Sequence, residues 1–291
     1  MKETLFNMGE DLGQKASPFL KWAGGKRQIL KQLLQFLPSD VRDRTYREPF
    51  LGGGSLFFAL KPATAFLSDF NEHLILAYEY VRECPDLVYD YLCEHRNNDC
   101  AQYYYQIREL YNRNRSQASA AQAARFIYLN KTCYNGIFRV NTQGLFNVPH
   151  GRYEATSLPS REHLRQVSKV LKSKKIFVAS FEQALEHARK GDFIYLDPPY
   201  PPRNGTSYFT HYTCDKFTAK DQEKLADTVR WLDATGCLLM ISNGNSDKIL
   251  QLYKGFNVRT LTVRRFITCK KNRDKIQELV ITNYEVALWP K

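Results

Sequence analysis

The chain is short of everything that would make it a metalloprotein, a disulfide-stapled protein or a membrane protein. Its seven cysteines are odd in number and include no Cys-x-x-Cys pair, and its six histidines form no His-Glu-x-x-His. Neither a disulfide framework nor a zinc site follows, and free thiols suit a reducing compartment. No apolar run approaches the roughly 20 residues that cross a bilayer. Residues 1–14 lack the hydrophobic region of a signal peptide. Internal repeats and low-complexity tracts are missing as well. Gly24-Gly25-Lys26 invites a phosphate-loop reading, but Arg27 stands where Ser or Thr is needed and the leading glycine is absent, which excludes a nucleotide hydrolase. Acidic residues are scarce too: 30 Asp and Glu against 42 Lys and Arg leave a net charge of +12. That excess favours a polyanionic partner, nucleic acid first.

Apolar residues are plentiful. They make up 43% of 291 residues, with 18 Tyr and 18 Phe among them, enough for one large core or a domain carrying an insertion. Two stretches show an α/β rhythm. In the first, 27–37 has helical periodicity, 45–48 reads as a strand, and Gly52-Gly53-Gly54 turns the chain into a helix opened by Ser55. A second strand over 65–68 ends in Asp69-Phe70-Asn71. Glycines on the first turn and an acid closing the second strand form a nucleoside-binding layout, in which the acid takes ribose hydroxyls. The spacing is not Gly-x-Gly-x-x-Gly, so no dinucleotide is implied. The rhythm resumes after 160: a helix over 162–171, a strand over 175–179, a helix from Ser180 to 189, then the apolar run 193–196. A helix over 218–235 and strands over 237–242, 258–264 and 279–283 complete the sheet.

The run Phe193-Ile194-Tyr195-Leu196 is short enough for a buried strand and ends in Asp197-Pro198-Pro199-Tyr200. A carboxylate, two prolines of fixed φ and an aromatic ring thus emerge together at the carboxyl edge of a sheet, where open α/β folds place ligands. This set suits chemistry on an exocyclic amine of a base. Asp197 and the Pro198 carbonyl each accept an N–H, which frees the amine lone pair, and Tyr200 offers a face for stacking. By average residue usage the tetrapeptide arises by chance in roughly one chain in a thousand of this length. The segment 201–216 that follows is rich in aromatics and fits a lid.

Between 73 and 158 helical periods dominate, over 74–82, 86–95, 101–112 and 118–131. From Arg96 to Arg152 the basic residues include Arg108, Arg113, Arg115, Arg125, Lys131 and Arg139, against only Asp99 and Glu109. Tyrosines lie among them, and basic side chains mixed with stacking rings line nucleic-acid grooves. Tyr104 and Tyr128 are expected in the core. Asn135-Gly136, followed by Arg139 and a second glycine turn, predicts a β-hairpin with an exposed tip. An arginine there can pair bidentately with guanine in a major groove. A basic loop at 264–273 suits phosphates.

Taken together, these motifs resemble the Dam-type DNA adenine-N6 methyltransferases (the D12 class, with the Asp-Pro-Pro-Tyr motif). The resemblance runs from about Pro18 to Tyr284. It is carried by Phe19-Leu20-Lys21-Trp22-Ala23-Gly24-Gly25-Lys26, Glu48-Pro49-Phe50, the glycines 52–54 with Ser55, Asp69-Phe70-Asn71, the segments 134–139 and 147–153, and residues 197–200. It implies a Rossmann-like methyltransferase sheet with helices on both faces, formed by 1–72 and 159–291. The segment 73–158 would be an inserted, mostly helical target-recognition domain with a β-hairpin. It implies S-adenosyl-L-methionine as cofactor, leaving as S-adenosyl-L-homocysteine. Trp22, Lys26, Phe50, Gly52, Gly54, Asp69, Phe181 and Asp197 would contact the cofactor, while Asp197, Pro198 and Tyr200 carry the chemistry. Lys21, Tyr134, Asn135, Ile137, Arg139, Pro149 and Arg152 would contact DNA, with Ile137 and Pro149 packing a thymine methyl and Arg139 reading guanine in GATC. Here the sequence departs from many relatives at Cys133, Ile137, Val140 and His150.

The resulting expectation is a cytoplasmic, monomeric, site-specific DNA-methyltransferase acting on double-stranded DNA, without metal or membrane. Two other readings stay open on the sequence. An RNA adenine methyltransferase would use the same catalytic motif, and a DNA-binding regulator could descend from such an enzyme, although Asp69 and residues 197–200 are intact.

Overall fold

The computed structural model describes residues 16–154, 156–201, 217–264 and 275–286. The expected loose start, the aromatic lid at 202–216 and nearly all of the basic loop at 264–273 lie outside them.

In chain order the elements are α1 (Leu30–Leu33), β1 (Tyr46–Glu48), α2 (Ser55–Leu60), β2 (Ala65–Asp69), α3 (Glu72–Glu83), α4 (Pro85–Asn97), α5 (Ala101–Arg113) and α6 (Ala120–Thr132). There follow α7 (Arg161–Leu171), β3 (Lys175–Val178), α8 (Phe181–Leu185), β4 (Phe193–Leu196), α9 (Ala219–Thr235), β5 (Leu238–Gly244), α10 (Asp247–Leu252), β6 (Asn257–Arg264) and β7 (Lys275–Thr282). The seven strands lie in the order β3-β2-β1-β4-β5-β7-β6. The first five are parallel, and β7 runs antiparallel to both β5 and β6.

Strand β4 explains why the sheet is covered on both sides. All four of its residues are buried, so it carries no polar face to give to water. Phe193 and Tyr195 point into one core with Tyr46, Phe57, Leu67 and Tyr78. Ile194 and Leu196 point into the other, with Leu225 and Val229 of α9 and Leu185 of α8. The sheet is Rossmann-like, with helices on both faces, and its strand order reverses between β1 and β4. The carboxyl ends of those two strands therefore flank a crevice, the usual ligand position in such sheets.

The helices of 73–158 follow the sequence closely because their starts are marked. Asn71 accepts from the Leu74 N–H, Pro85 opens α4, and Ser119 accepts from the Gln122 N–H. Tyr104 and Tyr128 are buried as expected. Val88, Leu92, Tyr104, Ile107 and Tyr128 of this segment belong to the same continuous core as Tyr46 and Phe193 of the sheet.

Four expectations need correction. The helix expected over 27–37 is broken into 3₁₀ turns at Lys26–Gln28 and Leu34–Phe36 around the single turn of α1. No side chain caps its start, and Lys26 is drawn into the interior by its own contacts. The helix expected to reach 189 ends at Leu185, and α10, capped by Ser246, was not expected at all. Strand β7 starts four residues before the segment read from sequence, whereas β6 matches its segment to within one residue. The expected β-hairpin is irregular: within 133–150 its two arms are joined by the isolated antiparallel bridges Cys133–His150 and Val140–Phe146 rather than by a continuous ladder. Asn135-Gly136 is not its tip but part of a 3₁₀ turn, Tyr134–Gly136, at the end of α6. The tip falls at 141–145, where Asn141 Oδ1 accepts from the Gln143 and Leu145 amides. A side-chain-closed turn displaces the backbone turn that the Asn-Gly pair suggested.

Candidate active site and nucleic-acid face

Asp197 leaves the end of β4 into the crevice with its side chain 19% exposed. Lys26 comes to it from the 3₁₀ turn before α1, its Nζ 2.8 Å from Asp197 Oδ1 and 3.8 Å from Glu278 Oε2 of β7. The same ammonium donates to the Gly24 carbonyl at 3.0 Å and sits 4.7 Å from the centre of the Tyr200 ring. One buried cation therefore faces two carboxylates and an aromatic face. Burial pushes the Asp197 carboxyl up to about 6, against the pull of Lys26, while Glu278 pushes it further up. Beneath it, Tyr46 donates to Glu48 Oε2 at 2.8 Å, and burial holds the Glu48 carboxyl well above the usual range.

The Pro-Pro pair is fixed from behind. Gln222 of α9 donates to the Pro199 carbonyl at 2.9 Å and accepts at 3.1 Å from Asn243 of β5, and both amides are buried. Pro198 is itself buried. At the next position Tyr200 donates to Glu278 Oε2 at 3.1 Å.

On the other side of the crevice Asp69 closes β2. Its Oδ2 accepts from the Gly52 amide and its Oδ1 from the Asn71 amide, both at 3.0 Å. Burial raises this carboxyl to about 6, with those amides opposing the rise. Gly52, at φ +46°, lies under Trp22: a Cβ there would sit 2.7 Å from Trp22 Cδ1. Gly54 closes the turn by donating to Leu51 O and caps α2. Phe50 and Phe181 stack at 5.7 Å, with Phe217 against both. The structure thus gathers the residues predicted for cofactor and chemistry in two groups around one crevice: Lys26, Asp197 and Tyr200 form one, Trp22, Gly52 and Asp69 the other, and Phe50 with Phe181 lies at its edge.

Lys21, next to Trp22, joins this crevice to the basic segment. Its backbone N–H and C=O are both held by the Asn130 side chain, at 2.8 and 2.6 Å. Its ammonium donates to Lys131 O and lies 4.2 Å above the Tyr153 ring. Gly136, at φ +63°, touches the Lys21 side chain, which leaves no room for a Cβ. Trp22 stacks on Phe138 at 6.2 Å. Burial lowers the Lys131 ammonium to about 8, and Lys21 and Arg27 lie close enough to lower it further. Along the loop Tyr134 is 47% exposed and its amide donates to Pro149 O. Asn135, Arg139, Pro149 and Arg152 are exposed and Ile137 is half-buried. Arg139 Nε donates to Asn147 Oδ1 at 2.9 Å, which fixes the direction of the guanidinium and leaves its other donors outward. The residues predicted for DNA contact thus lie on one loop beside Lys21.

Residues 22–267 match the family described as D12 class N6 adenine-specific DNA methyltransferase. The chain belongs to this family. It is 42% identical to the type II methyltransferase M.MjaIII of Methanocaldococcus jannaschii, over 93% of this chain and all of that one. It is 38% identical to the type II methyltransferase M1.LlaDCHI of Lactococcus lactis subsp. cremoris, over 92% of this chain and 95% of that one. The DNA adenine methylase of Escherichia coli K12 is 33% identical over the same shares. The protein is an adenine-specific DNA methyltransferase and acts on DNA.

Several residues of this methyltransferase's crevice escaped the sequence reading. Glu278 carries no local signal, since it is one of two adjacent polar residues, Gln277 and Glu278, ahead of the apolar run 279–281. Gln222 and Asn243 resemble any helix and strand amides. Phe70 could have been found: it follows Asp69 and is 55% exposed, an unusual position for a phenyl ring beside a buried acid. Among the described residues no cluster of His, Cys, Asp and Glu could hold a metal, and no helix is long and apolar enough to cross a membrane.

Proposed function

We propose that this enzyme transfers the methyl group of S-adenosyl-L-methionine to N6 of an adenine turned out of duplex DNA, within the sequence GATC. The observation that supports the chemistry most directly is the Asp197 carboxylate, fixed by Lys26 at the end of β4 beside two prolines and the Tyr200 ring. Adenine stacks on Tyr200 while Asp197 and the Pro198 carbonyl accept its two N6 protons. The amine lone pair is then released from the ring and aimed at an electrophile. Asp197 need not be a strong base, because the methylated aminium is acidic enough to lose its proton once formed. Holding both reactants in one dry crevice removes an entropic cost of about 7–11 kcal/mol.

The crevice fits an adenosyl group. Asp69 has lone pairs left for ribose hydroxyls, and Phe70, Phe50 and Phe181 offer faces to a purine. Asn71 Nδ2 is buried without a protein partner. Trp22, Lys26, Gly52 and Gly54 complete this half of the site. When bound, the cofactor supplies an electron-poor methyl carbon.

On the DNA side, Lys21, Tyr134, Asn135, Ile137, Arg139, Pro149 and Arg152 form the reading surface, carried by the segment 73–158. Ile137 and Pro149 suit a thymine methyl, Arg139 suits guanine O6 and N7, and Lys21 and Arg152 suit phosphate or a base edge. The GATC assignment rests on the resemblance of 134–139 and 147–153 to Dam-type enzymes. A monomer working on cytoplasmic, nucleoid DNA is part of the same reading.

The test is transfer of tritium from labelled S-adenosylmethionine onto a GATC duplex, a scrambled duplex and a structured RNA. Label is expected on the GATC duplex alone, in N6-methyladenine. Asp197→Ala should nearly abolish transfer while leaving duplex binding intact. A near-wild-type rate in that variant overturns the mechanism, and label on RNA alone overturns the substrate.

A further inference from the structure

Three tethers fix the Asp-Pro-Pro-Tyr segment: Lys26 at the Asp197 carboxylate, Gln222 at the Pro199 carbonyl, and Glu278 at the Tyr200 hydroxyl. The second and third have no counterpart in the family motifs read from the sequence. Glu278 belongs to β7, where its register partner on β5 is Gly244. Tyr200 lies across that rung, and a Cβ on Gly244 would meet its ring at 3.7 Å. The ring therefore lies directly over this rung, within ordinary contact distance even of an added methyl, and Glu278 beside it supplies the acceptor for the hydroxyl. The same oxygen, Glu278 Oε2, stands 3.8 Å from Lys26 Nζ. With its side chain only 12% exposed, this carboxylate has little water to fall back on.

We propose that Glu278 is a positioning residue of the methyl transfer: it anchors the hydroxyl of Tyr200, and through Lys26 the carboxylate of Asp197, so that ring and acceptor face the target base in one fixed geometry. This rests on the functional reading above, in which Tyr200 carries the extruded adenine. Without Glu278 the ring keeps its contact with Gly244 but is free to swing about its Cα–Cβ bond. The stacked base then samples orientations in which its amine misses the donor carbon. Affinity for the cofactor and for duplex DNA depends on other residues and is retained, so the loss falls on kcat.

The decisive experiment is a double-mutant cycle on Glu278→Ala and Tyr200→Phe, read as kcat at saturating S-adenosylmethionine and GATC duplex. Each single change is expected to lower kcat about 10- to 150-fold, the range set by one hydrogen bond to a charged acceptor. The double variant should be no slower than the slower single one, because both remove the same bond. Cofactor KM and duplex Kd should stay within a few-fold of wild type. Glu278→Gln, which keeps an oxygen to accept from the hydroxyl, should recover most of the rate. If the alanine variant fails to fold, Glu278→Met fills the space without an acceptor and takes its place. Multiplicative losses, a kcat for Glu278→Ala within twofold of wild type, or a loss confined to cofactor affinity each overturn the inference. A wild-type chain that transfers no methyl group to duplex DNA overturns the functional reading and this inference with it, whereas an active wild type beside an unaffected Glu278→Ala overturns the inference alone.

Discussion

Lys26 and Asp197 meet at 2.8 Å although one precedes the first strand and the other ends the fourth. Only 5% of the lysine side chain is exposed. A buried ammonium is tolerated because carboxylates and a carbonyl surround it, and a buried carboxylate keeps its charge because the ammonium is there. Each is the condition for the other, and together they form the acceptor of the proposed reaction.

The first prediction concerns pH. The groups facing Asp197 are Lys26, Glu278, Tyr200, Tyr195, Glu48 and Tyr46. Asp197 accepts from the target amine only when ionised, so kcat should fall on the acid side as pH drops through about 6. Removing the cation in Lys26→Met raises the Asp197 pKa and should move this limb to higher pH. Removing the neighbouring negative charge in Glu278→Gln lowers it and should move the limb to lower pH. Rate profiles at saturating substrates decide the matter, and shifts of the same sign in both variants would refute the electrostatic account.

Gly52→Ala should damage the cofactor half of the crevice. The residue sits at φ +46°, where a side chain costs about 1–2 kcal/mol, and the new Cβ would press on the Trp22 ring. Its amide and carbonyl, which serve Asp69 and Tyr78, must shift with it. Titration calorimetry should record weaker cofactor binding, because the Asp69 carboxylate and the Trp22 ring lose the positions that Gly52 holds. Unchanged affinity would remove Gly52 from the site.

Asn130→Ala should separate DNA binding from cofactor binding. This buried amide accepts from Lys21 N and donates to the Lys21 and Gly136 carbonyls. Its loss leaves buried backbone groups unpaired at about 1–3 kcal/mol each and frees the segment around Lys21 from α6. Urea unfolding should show a loss of that order, and duplex Kd should weaken far more than cofactor Kd. Equal weakening of both would mean that the clip supports the whole crevice rather than its DNA face.

What was legible in the sequence was the chemistry that is local along the chain. The run 193–196 with Asp197-Pro198-Pro199-Tyr200 places strand, acid and ring without any tertiary knowledge, and Gly52-Gly53-Gly54 with Asp69 does the same for the other half. Glu278 was illegible because its role comes from register: pairing with Gly244 sets it beside Tyr200, and no neighbour in sequence announces that. The turn at Asn135-Gly136 was misread because left-handed residues serve the end of a helix as readily as the tip of a hairpin. At 27–37 the apolar spacing was helical, but spacing without a capped start did not hold one helix together.

On the proposed reading of 73–158 as the segment that meets DNA, the shared core described above ties target choice to chemistry. Tyr104 and Tyr128, beneath the reading loop, pack in the same apolar mass as Phe193 and Tyr195, which underlie Asp197. A foreign reading head grafted in place of 73–158 would have to rebuild the floor of the reaction chamber as well. New sequence preference is therefore more accessible through exchanges at the outward side chains of 134–152, one at a time, than by trading the segment as a cassette.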